Sequence, residues 1–202
     1  MSNILEDDTF ENETFDALAL DGADLGDREF HGCTFRCAKL GGTRWMRSRL
    51  SECVFESCDL TRADFRELSL RDVKFRSCKL MGIDFSPIGD YPDMSFEECS
   101  LRYASFVKLV LRKTLFTGCS IVEANLLELD LVDSRFDDCQ FAGTRIEQCD
   151  LRRVRFRGAT GLFVDPAKNR VKGAEVPIES AALLAMTFGM KVTGFAAGRG
   201  ED

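Results

Sequence analysis

The sequence of 202 residues predicts an all-β fold, a four-sided β-solenoid, and three observations lead to it. Every fifth residue from Phe10 to Phe85 is large and apolar, and the same period runs without a miss from Phe96 to Phe156. The residue two places before each of these centres is mostly small or apolar. Similar residues recur at a lag of twenty, so four units complete one coil, and the array contains about seven coils.

A period of five fits neither an α-helix, which repeats every 3.6 residues, nor a simple strand, which repeats every two. In an extended backbone, residues i and i−2 point to the same side. Each unit therefore sends one large and one small side chain inward, while its other three positions are mainly polar. Cysteine is common at the small position, and only Cys37 of the nine cysteines is predicted to face outward. We expect the others to be reduced core residues.

The period is interrupted once, between Phe85 and Phe96, where the segment SPIGDYPDMS contains the loop formers Pro87, Gly89 and Pro92. Because the pattern resumes with Phe96, the sequence predicts a continuing coil with a projecting loop at 86–95. Exposed loops on rigid scaffolds often contact partners, and the candidate contacts are Asp90, Tyr91 and Asp93. A tolerated insertion without function is the alternative.

The array weakens after Phe156, and Pro177 then begins a segment with helical character that has Glu179 in its first turn. Gly189 or Gly194 is expected to end this helix, which would cover the open end of the tube. The predicted organisation is a β-helix over 1–160, with the insertion at 86–95. It is followed by a segment over 161–202 that contains the final coil, the helix and the tail.

The formal net charge is −7, and it is unevenly distributed. Residues 1–27 contain nine acids and no Lys or Arg, whereas the rest of the chain is close to neutral. A second local excess forms the acidic group, which consists of Glu128, Asp130, Asp133, Asp137 and Asp138. Such patches repel nucleic acid and attract basic surfaces, although solubility alone could explain the first one.

The units CTFRCAKL, CDLTRADFRELSL, CKLMGIDF and CSIVEANL resemble the A(D/N)LXX unit of pentapeptide-repeat proteins. The resemblance implies a right-handed quadrilateral β-helix. The ending PIESAALLAMTFGMKVTG resembles the C-terminal helix and final strand of the Qnr-like, MfpA-like and AlbG-like members, which protect topoisomerases. In that group this segment forms a homodimer, which implies a dimer surface here; a simple cap is the alternative. The implied surface consists of Ile178, Leu183, Leu184, Phe188 and Met190.

Residue types needed for catalysis or metal binding are scarce. His31 is the only histidine, and the sequence contains no CxxC, P-loop, GxGxxG or HExxH motif. We therefore expect no enzyme activity, no cofactor and no metal site. The acidic balance disfavours direct nucleic-acid binding. There is no apolar run of membrane-spanning length and no secretory signal, so the expected location is the cytoplasm, away from membranes.

Two functions follow as hypotheses. The resemblance implies a DNA mimic that binds DNA gyrase, a type II topoisomerase, and protects it against fluoroquinolones or a natural gyrase poison. Because the body of the chain is nearly neutral, we expect local mimicry through the acidic group. The alternative is a non-catalytic interaction scaffold with an unrelated partner, which would be contacted through the loop or the acidic N-terminal end.

Overall fold

Short parallel strands or isolated β-bridges form beside the large apolar centres of the repeat. The structure, a computed structural model, describes residues 3–194. The strands are β1 (Thr9–Glu11), β2 (Thr14–Asp16), β3 (Glu29–His31), β4 (Thr34–Arg36), β5 (Arg49–Ser51), β6 (Val54–Glu56), β7 (Ser69–Arg71), β8 (Val73–Arg76), β9 (Met94–Glu97), β10 (Ser105–Val107), β11 (Leu115–Thr117), β12 (Asn125–Leu127), β13 (Arg135–Asp137) and β14 (Arg145–Glu147). One helix, α1 (Ile178–Thr187), follows them.

The strands stack into an all-parallel solenoid with four walls, which we name A to D in chain order. Wall A begins with the sheet β1-β3-β5-β7, and wall B is the seven-stranded sheet β2-β4-β6-β8-β9-β11-β13. Wall C is built from isolated bridges that run from Ala19↔Lys39 to Gln140↔Thr160. Wall D ends in the sheet β10-β12-β14. The pairing partners are twenty residues apart, as in Phe15↔Phe35, which confirms the predicted four units per coil.

Wall B is held from inside by a continuous column of stacked phenylalanines. Its members are Phe15, Phe35, Phe55, Phe75, Phe96, Phe116, Phe136 and Phe156. Ring centroids are 4.5 Å apart between Phe116 and Phe136 and 5.4 Å apart between Phe75 and Phe96. Rings stack on like rings because each coil repeats the one below at the strand spacing.

Side chains at the small inward position donate hydrogen bonds to backbone carbonyls of the preceding coil. The Cys53 thiol donates to the Phe30 carbonyl at 3.5 Å, and the Ser48 and Ser134 hydroxyls donate to equivalent carbonyls at 2.6 Å. Burial raises the pKa of the Cys149 thiol to about 11, so this cysteine is a neutral core residue at pH 7. All nine cysteines are free and only Cys37 is exposed, as the sequence predicts.

The interruption at 86–95 differs from the projecting loop that the sequence suggests. It adds one residue to its coil, because Phe75 pairs with Phe96 and not with residue 95. Ile88 and Pro92 are buried and hold the segment against the tube. The Gly89 N–H donates to the Leu68 carbonyl at 2.9 Å, so the segment follows wall A for most of its length.

The two ends of the tube are closed differently. At the N-terminal end Ile4 is buried, and the Arg28 guanidinium donates to the Ile4 and Leu5 carbonyls at 3.0 and 2.9 Å. At the other end, α1 packs through Ser180 and Ala182. It begins after Pro177, as predicted.

Gly189 has a φ of +79° and allows the chain to turn away from the helix. It is one of the two glycines predicted to end the helix. The N–H groups of Gly189 and Met190 donate to the carbonyls of Met186 and Ala185, which closes the last turn. None of the helical structure in residues 3–194 has the length and apolar character required to span a bilayer. Residues 195–202 of the predicted tail lie outside the described residues.

Candidate partner-binding surfaces

The five members of the acidic group do not share a surface. Glu128 lies at the corner after wall D, Asp130 on wall A and Asp133 at the next corner. Asp137 lies on wall B and Asp138 at the corner that follows it. The residues are close in sequence, but one coil of the solenoid turns through four walls in twenty residues, so their side chains point in different directions.

Four of these five carboxylates are also neutralised by neighbouring bases. Asp130 pairs with Arg112 and Asp133 with Arg153, each at 2.6 Å. Asp137 pairs with Arg135 at 2.6 Å, and Glu128 lies 3.8 Å from Lys108. The hydrogen bonds from Arg153 hold the pKa of Asp133 below its usual value. The group therefore offers fixed hydrogen-bond acceptors and little free negative charge.

Bases outnumber acids on walls A and B of the last coils and on the corner between them. We call these bases the basic corner: Arg112, Lys113, Arg135, Arg152, Arg153, Arg155, Arg157, Arg170 and Lys172. The acids on these two walls and this corner are Asp130, Asp133, Asp137, Asp150 and Glu175, and Asp138 lies at the corner beyond wall B. Asp150 forms ion pairs with both Arg152 and Arg170, at 2.7 and 3.2 Å. Part of the acidic group thus lies within a surface of net positive charge.

Free negative charge lies instead at the N-terminal end. Within residues 3–194, Glu6, Asp8 and Glu11 are exposed and make no ion pair. Further along, Asp24 and Asp27 are paired with Arg44 and Arg47 at 3.1 and 2.7 Å. The outermost coil is consequently the most negative part of the tube, as the sequence predicts.

The predicted loop contacts are exposed and closely spaced. Tyr91 is 77% exposed and has a φ of +53°, so it stands out where the chain turns. Asp90 and Asp93 are exposed on either side of the buried Pro92. Tyr91 and Asp93 line one surface groove, and Asp90 is not part of its lining.

The predicted dimer residues fall into two groups on α1 and just beyond it. Ile178, Phe188 and Met190 are 87, 67 and 59% exposed. Leu183 and Leu184 are half-buried, and Leu184 lines an apolar groove with Val164 and other residues of the last coil. This end of the molecule thus presents apolar surface that its own chain leaves uncovered.

The sequence reasoning missed two exposed apolar residues, Val110 and Leu115. Each occupies the position just before a centre, where most other units carry a polar or charged residue. They are 37 and 45% exposed. The repeat register itself could have identified them as exceptions. Over residues 3–194, no group of His, Cys, Asp and Glu side chains is arranged to hold a metal ion.

Comparison with known proteins identifies the repeat. The family model described as a pentapeptide repeat region matches residues 28–89 and 90–161. No curated protein matches the chain.

Solved structures of QnrB1, described as a plasmid-mediated fluoroquinolone resistance protein, are similar over most of the chain. A trypsin-treated variant is 26% identical over 92% of this chain and 90% of that one, with a TM-score of 0.53. A second trypsin-treated variant is 22% identical over 92 and 97%, with a TM-score of 0.56. Full-length QnrB1 is 20% identical over 88 and 100%, with a TM-score of 0.54. The latter two support the fold alone.

Proposed function

This chain belongs to the pentapeptide-repeat family, and from that premise we propose that it binds DNA gyrase and protects it from fluoroquinolones or from a natural gyrase poison. The observation that carries the proposal is the likeness to a fluoroquinolone resistance protein, at 26% identity over 92% of this chain and 90% of that one. Similarity over most of both chains supports the proposal better than a few shared repeats would, since the repeat by itself specifies only the tube. A cytoplasmic location belongs to the same proposal, because gyrase acts on chromosomal DNA.

In this function the protein acts by binding and without catalysis. A rigid rod with negative charge can occupy a basic groove that otherwise accepts DNA. The free charge comes from Glu6, Asp8 and Glu11 at the N-terminal end. The acidic group would form a second contact, in which its paired carboxylates accept hydrogen bonds from gyrase. The mimicry of DNA would then be confined to a few sites and would not extend along the whole rod.

The proposed active form is a homodimer joined through α1. Ile178, Phe188 and Met190 supply exposed apolar area at the end of the tube, and Leu183 and Leu184 extend it. Burial of such side chains contributes about 25 cal/mol per Å² of apolar surface, which favours pairing two such ends. A dimer of this kind would carry its acidic ends at the two outer tips.

The first test is a gyrase supercoiling assay in which purified protein is titrated with and without ciprofloxacin. The proposal predicts that supercoiling is restored in the presence of the drug. Inhibition without rescue would show binding to gyrase and would point to a different poison. No effect in either arm, with folded protein, would refute the proposal.

The second candidate function is an interaction scaffold with an unrelated partner, and the exposed Tyr91 favours it. In that case Tyr91→Ala should abolish capture of the partner, while substitutions in the acidic group should have little effect. If Tyr91→Ala instead leaves partner capture unchanged, the loop is not the contact.

A further inference from the structure

A groove opens on wall A where its sheet is interrupted. β7 is the last strand of the four-stranded sheet, and pairing on this wall resumes with the bridge Val110↔Asp130. In the described part of the chain, no strand pairing or bridge joins 86–93 to 109–112. The groove has a volume of about 520 Å³. Its margins are formed by 91–95, Val110, 112–115, Asp72 and Lys74.

Three exposed apolar side chains line this groove among polar and charged ones. Tyr91, Val110 and Leu115 line it and are 77, 37 and 45% exposed. Leu115 pairs in register with Ser95 on one side and with Arg135 on the other, so the neighbouring strands leave its apolar side chain partly uncovered. An apolar cluster in a concave site with a polar rim is typical of a binding surface.

The groove borders the basic corner. Lys113 and Arg112 belong to both, and Lys113 makes no ion pair with any residue in 3–194. The next corner residues in the same column are Asp133 and Arg153, which neutralise each other. Two acids face the groove: Asp72, which pairs with Lys74 at 3.0 Å, and Asp93. Lys113 therefore leads from the apolar groove to a surface with an excess of bases.

We propose that this groove and the adjoining basic corner bind an acidic segment of a partner protein that carries an apolar anchor residue. The anchor would fill the space between Tyr91, Val110 and Leu115. The carboxylates of the segment would reach Lys113 and, beyond it, Arg157 and Lys172, which make no ion pair with residues 3–194. An apolar groove alone would accept many partners, and so would a basic patch alone. Because the two are adjacent, they fit a segment that carries an apolar residue next to carboxylates.

A protein segment fits better than a nucleic acid. The chain has a net charge of −7 and its first coil is strongly negative, so a long polyanion laid along the tube would be repelled at the N-terminal end. A short acidic segment needs only the last coils. The basic corner also contains Asp130, Asp133 and Asp137, which the proposed gyrase contact would use. The two proposals are still tested separately, because binding of a peptide to this chain does not require gyrase.

The probe is a fluorescein-labelled peptide of Asp and Glu residues with a central Leu-Phe pair, followed by fluorescence anisotropy against the full chain at low salt. We expect saturable binding that Lys113→Glu and Leu115→Ser each weaken about tenfold, a loss of the size expected for one good contact. Both side chains face outward, so the fold should survive, and circular dichroism verifies that.

Matched controls lie on wall C. Lys39→Glu changes an exposed lysine and Tyr103→Ser an exposed aromatic residue, and neither should affect the peptide. The proposal is overturned if the peptide does not bind, if a peptide with Gly in place of Leu-Phe binds equally, or if the wall C variants weaken it as much. Stronger binding of a DNA duplex that competes with the peptide would also overturn it. A failed supercoiling assay would leave this result unchanged.

Discussion

Gly161 is a position in the repeat where a side chain would not fit. It occupies a centre position on wall C with a φ of +63°, and a Cβ placed there would lie 2.9 Å from the backbone nitrogen of Ala142. We expect Gly161→Ala to destabilise the fold by about 1–3 kcal/mol, because a left-handed conformation and a backbone clash add together.

Urea denaturation measures this loss, and Gly22→Ala is the matched control. Gly22 also has a positive φ, of +73°, but no heavy atom lies within 4 Å of its added Cβ. In the control variant, the free energy of unfolding should fall only by the cost of the left-handed conformation. Equal losses in the two variants would contradict the steric argument.

Asp150 gives the fold a dependence on pH. Hydrogen bonds from Arg152 hold the pKa of its carboxyl below the ordinary value of 3.8. A lowered pKa in the folded state stabilises the fold at pH above the unfolded value, and this contribution is lost as pH falls through the folded pKa.

Asp150→Asn should therefore lower the melting temperature at pH 7, with a difference from wild type that narrows as pH falls below 3.8. Thermal melts at several pH values measure it. Asp16→Asn is the control, since Asp16 is exposed and its distance to Arg36, 4.0 Å, is that of a weak ion pair. A difference that persists unchanged in acid would exclude the ion pair as its cause.

The aromatic column of wall B is the element on which the tube most depends. Phe116 is buried and stacks on Phe96 and Phe136 at 4.9 and 4.5 Å. We expect Phe116→Ala to cost about 3–5 kcal/mol, because a large cavity would form in the middle of a continuous core.

Phe116→Leu, which keeps most of the volume, should cost less, about 1.5 kcal/mol or below. Denaturant unfolding followed by circular dichroism compares the two variants. Similar losses for Ala and Leu would mean that ring stacking, and not volume, accounts for the stability of the column.

The terminal helix is the element proposed to join two copies. Phe188→Glu places a charge on a residue that is 67% exposed, so the tube should fold while the dimer dissociates. Light scattering should give twice the chain mass of 22.7 kDa for wild type and the chain mass for the variant.

The exposed Lys191→Glu is the control for charge alone, and it should remain dimeric. A wild-type particle of 22.7 kDa at micromolar concentration would exclude the dimer and leave α1 as a cap.

Considered as a whole, the molecule is electrically polarised, with an acidic first coil and a basic corner near its other end. This predicts two kinds of effect on gyrase binding. Neutralising Glu6, Asp8 and Glu11 to the amides should slow association and reduce its dependence on salt, since free charge steers encounter.

Changing Asp130, Asp133, Asp137 and Asp138 to Asn should mainly speed dissociation, because most of these carboxylates are held as short-range acceptors. Surface plasmon resonance at two salt concentrations separates the rates. If the second variant alone abolishes the salt dependence, the free charge lies in the acidic group and our assignment of it to the N-terminal end is wrong.

The sequence was informative wherever a residue's role follows from its place in the period. The period predicts the columns that contain Phe15 and Cys53 and the outward position of Cys37. Local signals predict the helix after Pro177. The acidic group was harder, because sequence proximity suggested a patch that the turning coil distributes over several walls. The interruption was also harder, since Ile88 and Pro92 are buried by contacts that spacing does not reveal.

The solenoid and its four units per coil could be predicted from the sequence, because in a regular period each unit repeats the environment of the unit one coil earlier. The excess of negative charge at the beginning and the helix at the end could also be predicted, from local composition and local signals. Which charges are neutralised and which apolar residues remain exposed became known from the folded chain alone. Pairs such as Asp133–Arg153 join residues twenty positions apart, and the groove at Tyr91, Val110 and Leu115 joins neighbouring coils. Such contacts depend on how coils stack and on where one stack is interrupted.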